Sequence, residues 1–185
     1  MSDTPARPVR ISALEGLLRG LDLSPGAPAW RDAAKLMGGA NGALPAVVPV
    51  EQYVELMRWG ARTFFPTLSP ARGLYEVGFR LFPGYRKTLL GSLQLAALPV
   101  LGAHRLIQKA PELFGRNAPF GKRTVKQLGP THYRLEFRGI PIPPEFYCGA
   151  MTSGLQMAGA GGTSQVTSRV LGPEDVDYEA VWREG

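Results

Sequence analysis

Strict alternation in the last third of the chain is the sequence feature that most restricts its fold. Tyr133, Leu135 and Phe137 alternate with charged residues, which is typical of an antiparallel strand with one buried face and one face in water. Because an apolar sheet face must be buried against another layer, the rest of the chain has to supply that layer.

The preceding residues have a helical periodicity. Apolar side chains recur every three or four positions in a series of segments separated by proline and glycine. We predict a loop at residues 41–49, a break at Pro83-Gly84, and a buried helix over residues 85–98, the most apolar segment of the chain. Pro99 interrupts the apolar stretch, which is too short to span a membrane.

The pattern after these helices predicts two strand pairs around one helix. The fold class is therefore α+β, with N-terminal helices packed on a C-terminal ββαββ four-stranded antiparallel sheet. The predicted elements are strands at residues 122–128 and 131–138, a helix at residues 143–158, and strands at residues 163–171 and 176–183.

Length and composition fit one globular domain. The chain has 185 residues, of which 44% are hydrophobic and 19% are charged, enough to bury a core. We predict a flexible tail at residues 1–8 and a single domain at residues 9–185. Cys148 is the only cysteine, which excludes an internal disulfide. The N terminus has no apolar signal segment, so we expect a cytoplasmic protein.

Positive charge is concentrated in the middle of the chain. Twelve basic and three acidic residues lie between Arg72 and Arg138, whereas two basic and six acidic residues follow residue 138. The basic region either faces an acidic partner, attracts the acidic end of a second copy, binds nucleic acid, or is simply solvated. No nucleic-acid recognition motif accompanies it. The candidate basic surface comprises Arg80, Arg86, Lys87, Lys122, Arg123 and Lys126.

No catalytic motif is present, and we expect a protein that is not an enzyme. The chain has neither a phosphate-binding loop nor a Gly-x-Ser-x-Gly nucleophile elbow. His104, His132 and Cys148 do not have the spacing of a metal site. His104 follows an apolar helix, as an axial haem ligand could. We interpret it instead as a histidine at a helix end, and expect no cofactor.

Four short segments carry a resemblance to known proteins. The segments are Leu14–Leu18, Gly84–Gly91, Phe146–Leu155 and Tyr178–Trp182. In order and spacing they resemble a myxobacterial family of uncharacterised proteins over residues 9–183. That family is similar to the superfamily of haem–nitric-oxide-binding domains, 4-vinyl-reductase-like domains and Bet3-type subunits of the TRAPP vesicle-tethering complex.

The resemblance implies a helical layer on a ββαββ unit, often dimeric, with an apolar pocket between helices and sheet. Relatives bind haem, small apolar molecules, acyl chains or only other proteins. The haem branch has a Tyr-x-Ser-x-Arg motif that holds the haem propionates, and residues 131–142 have no such motif. The chain also lacks the cysteine-rich end of many vinyl-reductase-like domains.

Three functional hypotheses follow from the residues and the resemblance. The first is a sensory or adaptor domain in signalling that binds a small apolar ligand, a protein partner, or both. The second is a pure protein-interaction scaffold, as a homodimer or heteromer, in which the same residues are ordinary core. Nucleic-acid binding is a third reading. The candidate pocket residues are Tyr85, Leu89, Leu93, Phe114, Tyr147, Cys148 and Met151.

Overall fold

A two-stranded ribbon lies at the start of the fold. The computed structural model describes residues 7–96 and 98–183. Strand β1 (Pro8–Arg10) pairs antiparallel with β2 (Val47–Pro49), which lies within the predicted loop. Pro8, expected in the flexible tail, is therefore part of a strand, and residues 1–6 of that tail lie outside the described residues.

Within the described residues, seven helices precede the main sheet. Pro28 and Pro70 each lie in the first turn of a helix, where a missing N–H costs no hydrogen bond. The last helix is interrupted at Gly102, whose φ of +75° favours glycine. The helices are α1 (Ile11–Gly20), α2 (Pro28–Leu36), α3 (Val50–Phe64), α4 (Pro70–Phe79), α5 (Leu81–Arg86), α6 (Leu89–Leu95) and α7 (Leu98–Asn117).

The predicted helix at residues 85–98 is wrong in its boundaries. Pro83 and Gly84 fall inside α5, where Pro83 sits in the first turn and is tolerated. The break comes later, before α6. There the hydroxyl of Thr88 accepts a hydrogen bond from the Gly91 N–H at 3.0 Å and caps the new helix.

The C-terminal part confirms the predicted α+β fold class. The four strands form one sheet in the order β3–β4–β6–β5, and all neighbours are antiparallel. Helix α8 continues through a π-helical turn and a 3₁₀ turn into β5. The elements are β3 (Lys122–Gly129), β4 (His132–Arg138), α8 (Pro144–Leu155), β5 (Gln165–Gly172) and β6 (Asp175–Val181).

The two faces of the sheet differ as the alternation predicted. Tyr133, Leu135 and Phe137 are buried on the inner face, which α7 and α8 cover. On the outer face, Arg134 pairs with Glu179 at 2.8 Å across neighbouring strands. In the described residues no helix is long and apolar enough to cross a membrane.

Helices α4 and α8 are in direct backbone contact at two glycines. A Cβ atom added to Gly78 would lie 2.0 Å from the carbonyl oxygen of Phe146, and one added to Gly149 would lie 2.0 Å from that of Tyr75. Neither position has room for a side chain, since backbone atoms cannot rotate away as side chains do. The crossing therefore requires glycine on both helices.

We expect Gly149→Ala to lower the free energy of unfolding by about 2 kcal/mol or more, because the methyl group must push α4 away from α8. Urea denaturation measures the effect. Gly115→Ala is the matched control: a Cβ atom added to Gly115, in α7, would have nothing within 4 Å, so this variant should be neutral or stabilised by up to about 1 kcal/mol. Equal midpoints for both variants would contradict the crossing's role.

Candidate functional site

An apolar cavity lies between the helices, beside the inner face of the sheet. Its volume is about 50 Å³, room for a ligand of only a few heavy atoms. Residues from α1, α3, α5, α6, α7 and α8 meet there, with contributions from β1 and the connections. The lining residues are Val9, Ala13, Tyr53, Leu81, Phe82, Tyr85, Gln94, Leu95, Leu113, Phe114, Asn117, Ala118, Ile142, Phe146 and Tyr147.

Edge-to-face aromatic contacts build one wall of the cavity. The Phe114 ring lies 4.9 Å from that of Tyr147 and 6.0 Å from that of Phe82, measured between centroids. Phe146 contacts Tyr53 of α3 at 6.1 Å. These contacts hold the aromatic side chains of α7 and α8 in place and so define this wall of the cavity.

One end of the cavity is polar and is closed by α6. The hydroxyl of Tyr85 donates to Oε1 of Gln94 at 2.8 Å, which ties α5 to α6. Asn117 lies at the same end and lowers the pKa of Tyr85, although burial raises that pKa more. A few polar groups in an otherwise apolar pocket are typical of a small-molecule site.

The titratable side chains in the lining are three tyrosines. Burial raises the pKa of Tyr53 and of Tyr147 above the ordinary value of a phenol. Both groups are therefore neutral near pH 7, so they can donate hydrogen bonds but cannot act as bases.

The predicted pocket residues divide into three groups. Tyr85, Phe114 and Tyr147 line the cavity, although a bound ligand there remains a prediction. Met151 lines a second cavity of about 10 Å³, which shares Phe82 and Phe114 with the first. Cys148 is buried outside both linings.

Leu89 and Leu93 were wrong as pocket residues. They are 85% and 73% exposed, because α6 starts anew at Thr88 and turns this side of the helix to solvent. Gln94 and Leu95 face the cavity instead. The prediction extended the periodicity of one helix across a break that the apolar composition concealed.

Burial also controls the ionisation of Cys148. Burial raises the pKa of the thiol to about 11, and a side-chain hydrogen bond with Ser168 opposes this effect more weakly. The thiol is thus protonated at neutral pH, and a protonated thiol is a poor nucleophile.

The six residues predicted as one basic surface do not lie together. They are divided between the helical side of the molecule and the outer face of the sheet, and Arg123 lies on the inner face of the sheet. Arg80 and Lys87 both approach Asp22, at 3.8 Å and 2.6 Å, on the helical side of the molecule. Lys122 and Lys126 alternate with Arg123 along β3, so they lie on the outer sheet face when Arg123 points inward. Arg86 is exposed at the end of α5.

His104 lies outside the cavity lining, near the end of the sheet. Its Nδ1 is 3.1 Å from the hydroxyl of Tyr133, and its ring centroid is 5.0 Å from that of Trp182. Within the described residues, no cluster of three or more His, Cys, Asp and Glu side chains converges as a metal site.

Several solved structures with a similar arrangement of elements are H-NOX domains. An oxygen-binding H-NOX domain related to soluble guanylate cyclases has a TM-score of 0.67 and 8% identity, over 92% of this chain and 93% of its own. The Fe(II) unliganded H-NOX protein from K. algicida has a TM-score of 0.55 and 12% identity, over 92% of this chain and 96% of its own. The chain therefore has an H-NOX-like fold.

The sequence itself places the chain in a family. Residues 9–183 match the model of a family described as protein of unknown function, DUF2378, and the chain belongs to that family. No curated protein matches the chain. The predicted fold resemblance to haem–nitric-oxide-binding domains is confirmed, whereas a restriction to myxobacteria stays a prediction.

The expectation that the protein takes no cofactor is corrected by these comparisons. A similar structure, with a TM-score of 0.67 and 8% identity over 94% of this chain and 99% of its own, was studied for modulation of haem redox potential through porphyrin distortion. Haem thus becomes a group to test for, and the absence of a Tyr-x-Ser-x-Arg motif was not sufficient reason to dismiss it.

The cavity as packed here does not fit a haem. Its volume of about 50 Å³ is far below the several hundred that enclose cofactor-sized ligands. None of the described lining residues is histidine, cysteine or methionine, the side chains that most often bind haem iron. The function of this cavity is therefore inferred from the residues that line it.

We expect the Cys148 thiol to react with iodoacetamide at pH 8 at least tenfold more slowly in the folded protein than in the same protein unfolded in urea. The folded pKa of about 11 leaves little thiolate at that pH, while an unfolded cysteine has a pKa of about 8.5. The folded rate should rise as the pH approaches 11. Mass spectrometry of alkylation measures both rates, and equal rates at pH 8 would refute the assignment.

Proposed function

We propose that this protein is a non-catalytic sensory domain that binds a small apolar ligand in the cavity and reports its presence through α6. The observation that carries the proposal is the cavity itself, which is apolar on most sides and closed at its polar end by a short helix. The ligand would contact Phe114 and Tyr147 on one side and Leu95 on the other.

The comparisons support a ligand-binding role through the fold. The similar H-NOX structures include one described as oxygen-binding, and this chain has the same arrangement of helices on a sheet. Sequence identities of 8–13% support a similar fold but not a shared ligand. The proposed ligand class is therefore derived from the residues that line the cavity.

Helix α6 has the properties of a movable cover. It has seven residues and lies between two points where the backbone changes direction, Thr88 and Gly102. Its hold on the cavity consists of Leu95 and the Tyr85–Gln94 hydrogen bond. A ligand larger than a few heavy atoms displaces α6, and this shifts the population from a closed to an open form.

The absence of catalysis is also part of the proposal. It is supported by the lining, where the titratable groups are tyrosines. Tyr53 and Tyr147, whose pKa values burial raises, stay protonated at neutral pH, and a general base needs a pKa near the working pH.

Xenon tests whether the cavity accepts an apolar guest, since xenon occupies dry apolar cavities. Under xenon pressure, NMR signals of Phe114 and Tyr147 should shift in the wild type. They should not shift in Ala13→Leu, in which the longer side chain fills the cavity, or in the milder Ala118→Val. Ala71→Leu, at an exposed site on α4, should behave like the wild type. Xenon shifts that survive both filling variants would exclude this cavity as the site.

Native mass spectrometry of protein purified from its own host identifies the natural ligand. A co-purified apolar molecule of low mass is the expected result. An absorption spectrum of the same sample distinguishes haem, because a Soret band would identify a haem protein and overturn the proposed ligand class.

Release of α6 can be measured by hydrogen exchange. We expect Tyr85→Phe to speed amide exchange in α6 about fivefold, since losing one hydrogen bond costs roughly 1 kcal/mol. Tyr75→Phe, on α4, is the control and should leave α6 unchanged. If Tyr85→Phe has no effect, the Gln94 contact does not hold the helix in place.

A protein-interaction scaffold is the second candidate, and the exposed leucines of α6 favour it. Leu89, Leu90 and Leu93 present an apolar surface to solvent, where a partner or second copy would cover it. On this reading the interior is ordinary core, so xenon would leave the signals of Phe114 and Tyr147 unchanged.

A further inference from the structure

Arg123 is the one charged side chain on the inner face of the sheet, among the strand residues that the structure describes. It stands opposite Phe137 in the register of β3 and β4, and Phe137 is buried on that face. The remaining inward positions of β4 and β6 hold Tyr133, Leu135 and neutral residues. A guanidinium in this place requires an electrostatic explanation.

The contacts of Arg123 satisfy only part of its guanidinium. Nη1 donates to the carbonyl oxygen of Phe120 at 2.8 Å. Cζ lies 5.8 Å and 5.5 Å from the ring centroids of Phe120 and Phe137. Nε and Nη2 are buried and have no hydrogen-bond partner in the described part of the chain. Buried donors are almost always paired in native proteins. The hydroxyl of Tyr147 is the polar side-chain group beside Arg123, and one neutral oxygen does not supply both donors with an acceptor of their own, so the cation can take a stronger acceptor.

The geometry of the guanidinium indicates which kind of acceptor fits these two donors. Nε–H and one N–H of Nη2 point the same way from one edge of the planar group. Two parallel N–H donors match the two oxygens of a carboxylate, which binds arginine in this bidentate manner. The unpaired atoms are thus the pair that would hold one carboxylate.

Arg123 is also next to the wall of the cavity. The Phe137 ring, over which its guanidinium lies, is 5.0 Å from that of Tyr147, and Tyr147 lines the cavity. Burial raises the pKa of Tyr147, and Arg123 opposes this effect both through its charge and through a polar side-chain contact with the Tyr147 hydroxyl, which places the two groups close together. The packed rings of Phe137 and Tyr147 therefore separate Arg123 from the cavity by one layer of side chains. A molecule that reaches both has to displace the Tyr147 ring.

We propose that the ligand is an apolar carboxylic acid, bound as its anion, with its two oxygens accepting from Nε and Nη2 of Arg123 and its hydrocarbon part in the cavity. This inference rests on the proposed ligand-binding function and adds the chemical class of the ligand. Discrimination against neutral apolar molecules comes from the buried cationic donors, which bind an anionic acceptor more strongly than a neutral one.

The test uses two probes of equal length, hexanoate and 1-hexanol, titrated into the protein at pH 7 and followed by NMR. Hexanoate should bind the wild type at least tenfold more tightly than 1-hexanol. Arg123→Gln should remove this preference, because hexanoate loses far more affinity than 1-hexanol does. Lys126→Gln, which removes a positive charge from the exposed side of the same strand, should keep the preference, and this excludes a general effect of net charge.

Thermal denaturation gives an independent readout. Hexanoate should raise the midpoint of the wild type and of Lys126→Gln, but not that of Arg123→Gln. A merely structural Arg123 would instead give a variant with a lower midpoint and equal losses for both probes, which would overturn the proposal. So would equal affinity of the two probes for the wild type. Xenon binding is measured in the same samples. If xenon binds but hexanoate is not preferred, only the carboxylic-acid proposal fails; if xenon does not bind either, the proposed ligand-binding function fails.

Discussion

Direct contact between helix backbones is the constraint on which the rest of the structure depends. Gly78 and Gly149 let α4 and α8 touch without an intervening side chain, and Gly84 does the same for α5, since its Cβ would lie 2.1 Å from the carbonyl oxygen of Gly16 in α1. Helix α8 is thereby held between α4 and the sheet, and its aromatic side chains are fixed in the cavity wall. A larger residue at either crossing would move the wall as well as the helices.

The sheet could be predicted from the sequence because its pattern is local. The alternation through Tyr133, Leu135 and Phe137 sets both the strand and its buried face, and the helical cover follows from the need to bury that face. The helix boundaries were less accessible. Pro83 was taken for a helix break although it is harmless in a first turn, and β2 is three residues long and exists only through its pairing with β1.

The candidate site was partly accessible from the sequence. Tyr85, Phe114 and Tyr147 lie on helices whose apolar sides were evident, whereas Tyr53 and Val9 reach the cavity only through the tertiary fold. Leu89 and Leu93 failed because their periodicity ran across the unrecognised break. Arg123 was grouped with Lys122 by charge, although neighbouring strand residues face opposite sides; only the register with Phe137 shows which one is inside.

The exposed leucines of α6 have a thermodynamic consequence for the proposed sensor. When α6 leaves the cavity, Leu95 is uncovered in addition to Leu89 and Leu93, so the open form offers more apolar area to other molecules. A partner that prefers this form then strengthens ligand affinity by the same factor by which the ligand strengthens the partner's affinity. Ligand binding and partner binding can occur in either order, and the domain would respond to whichever of the two molecules, ligand or partner, is scarce.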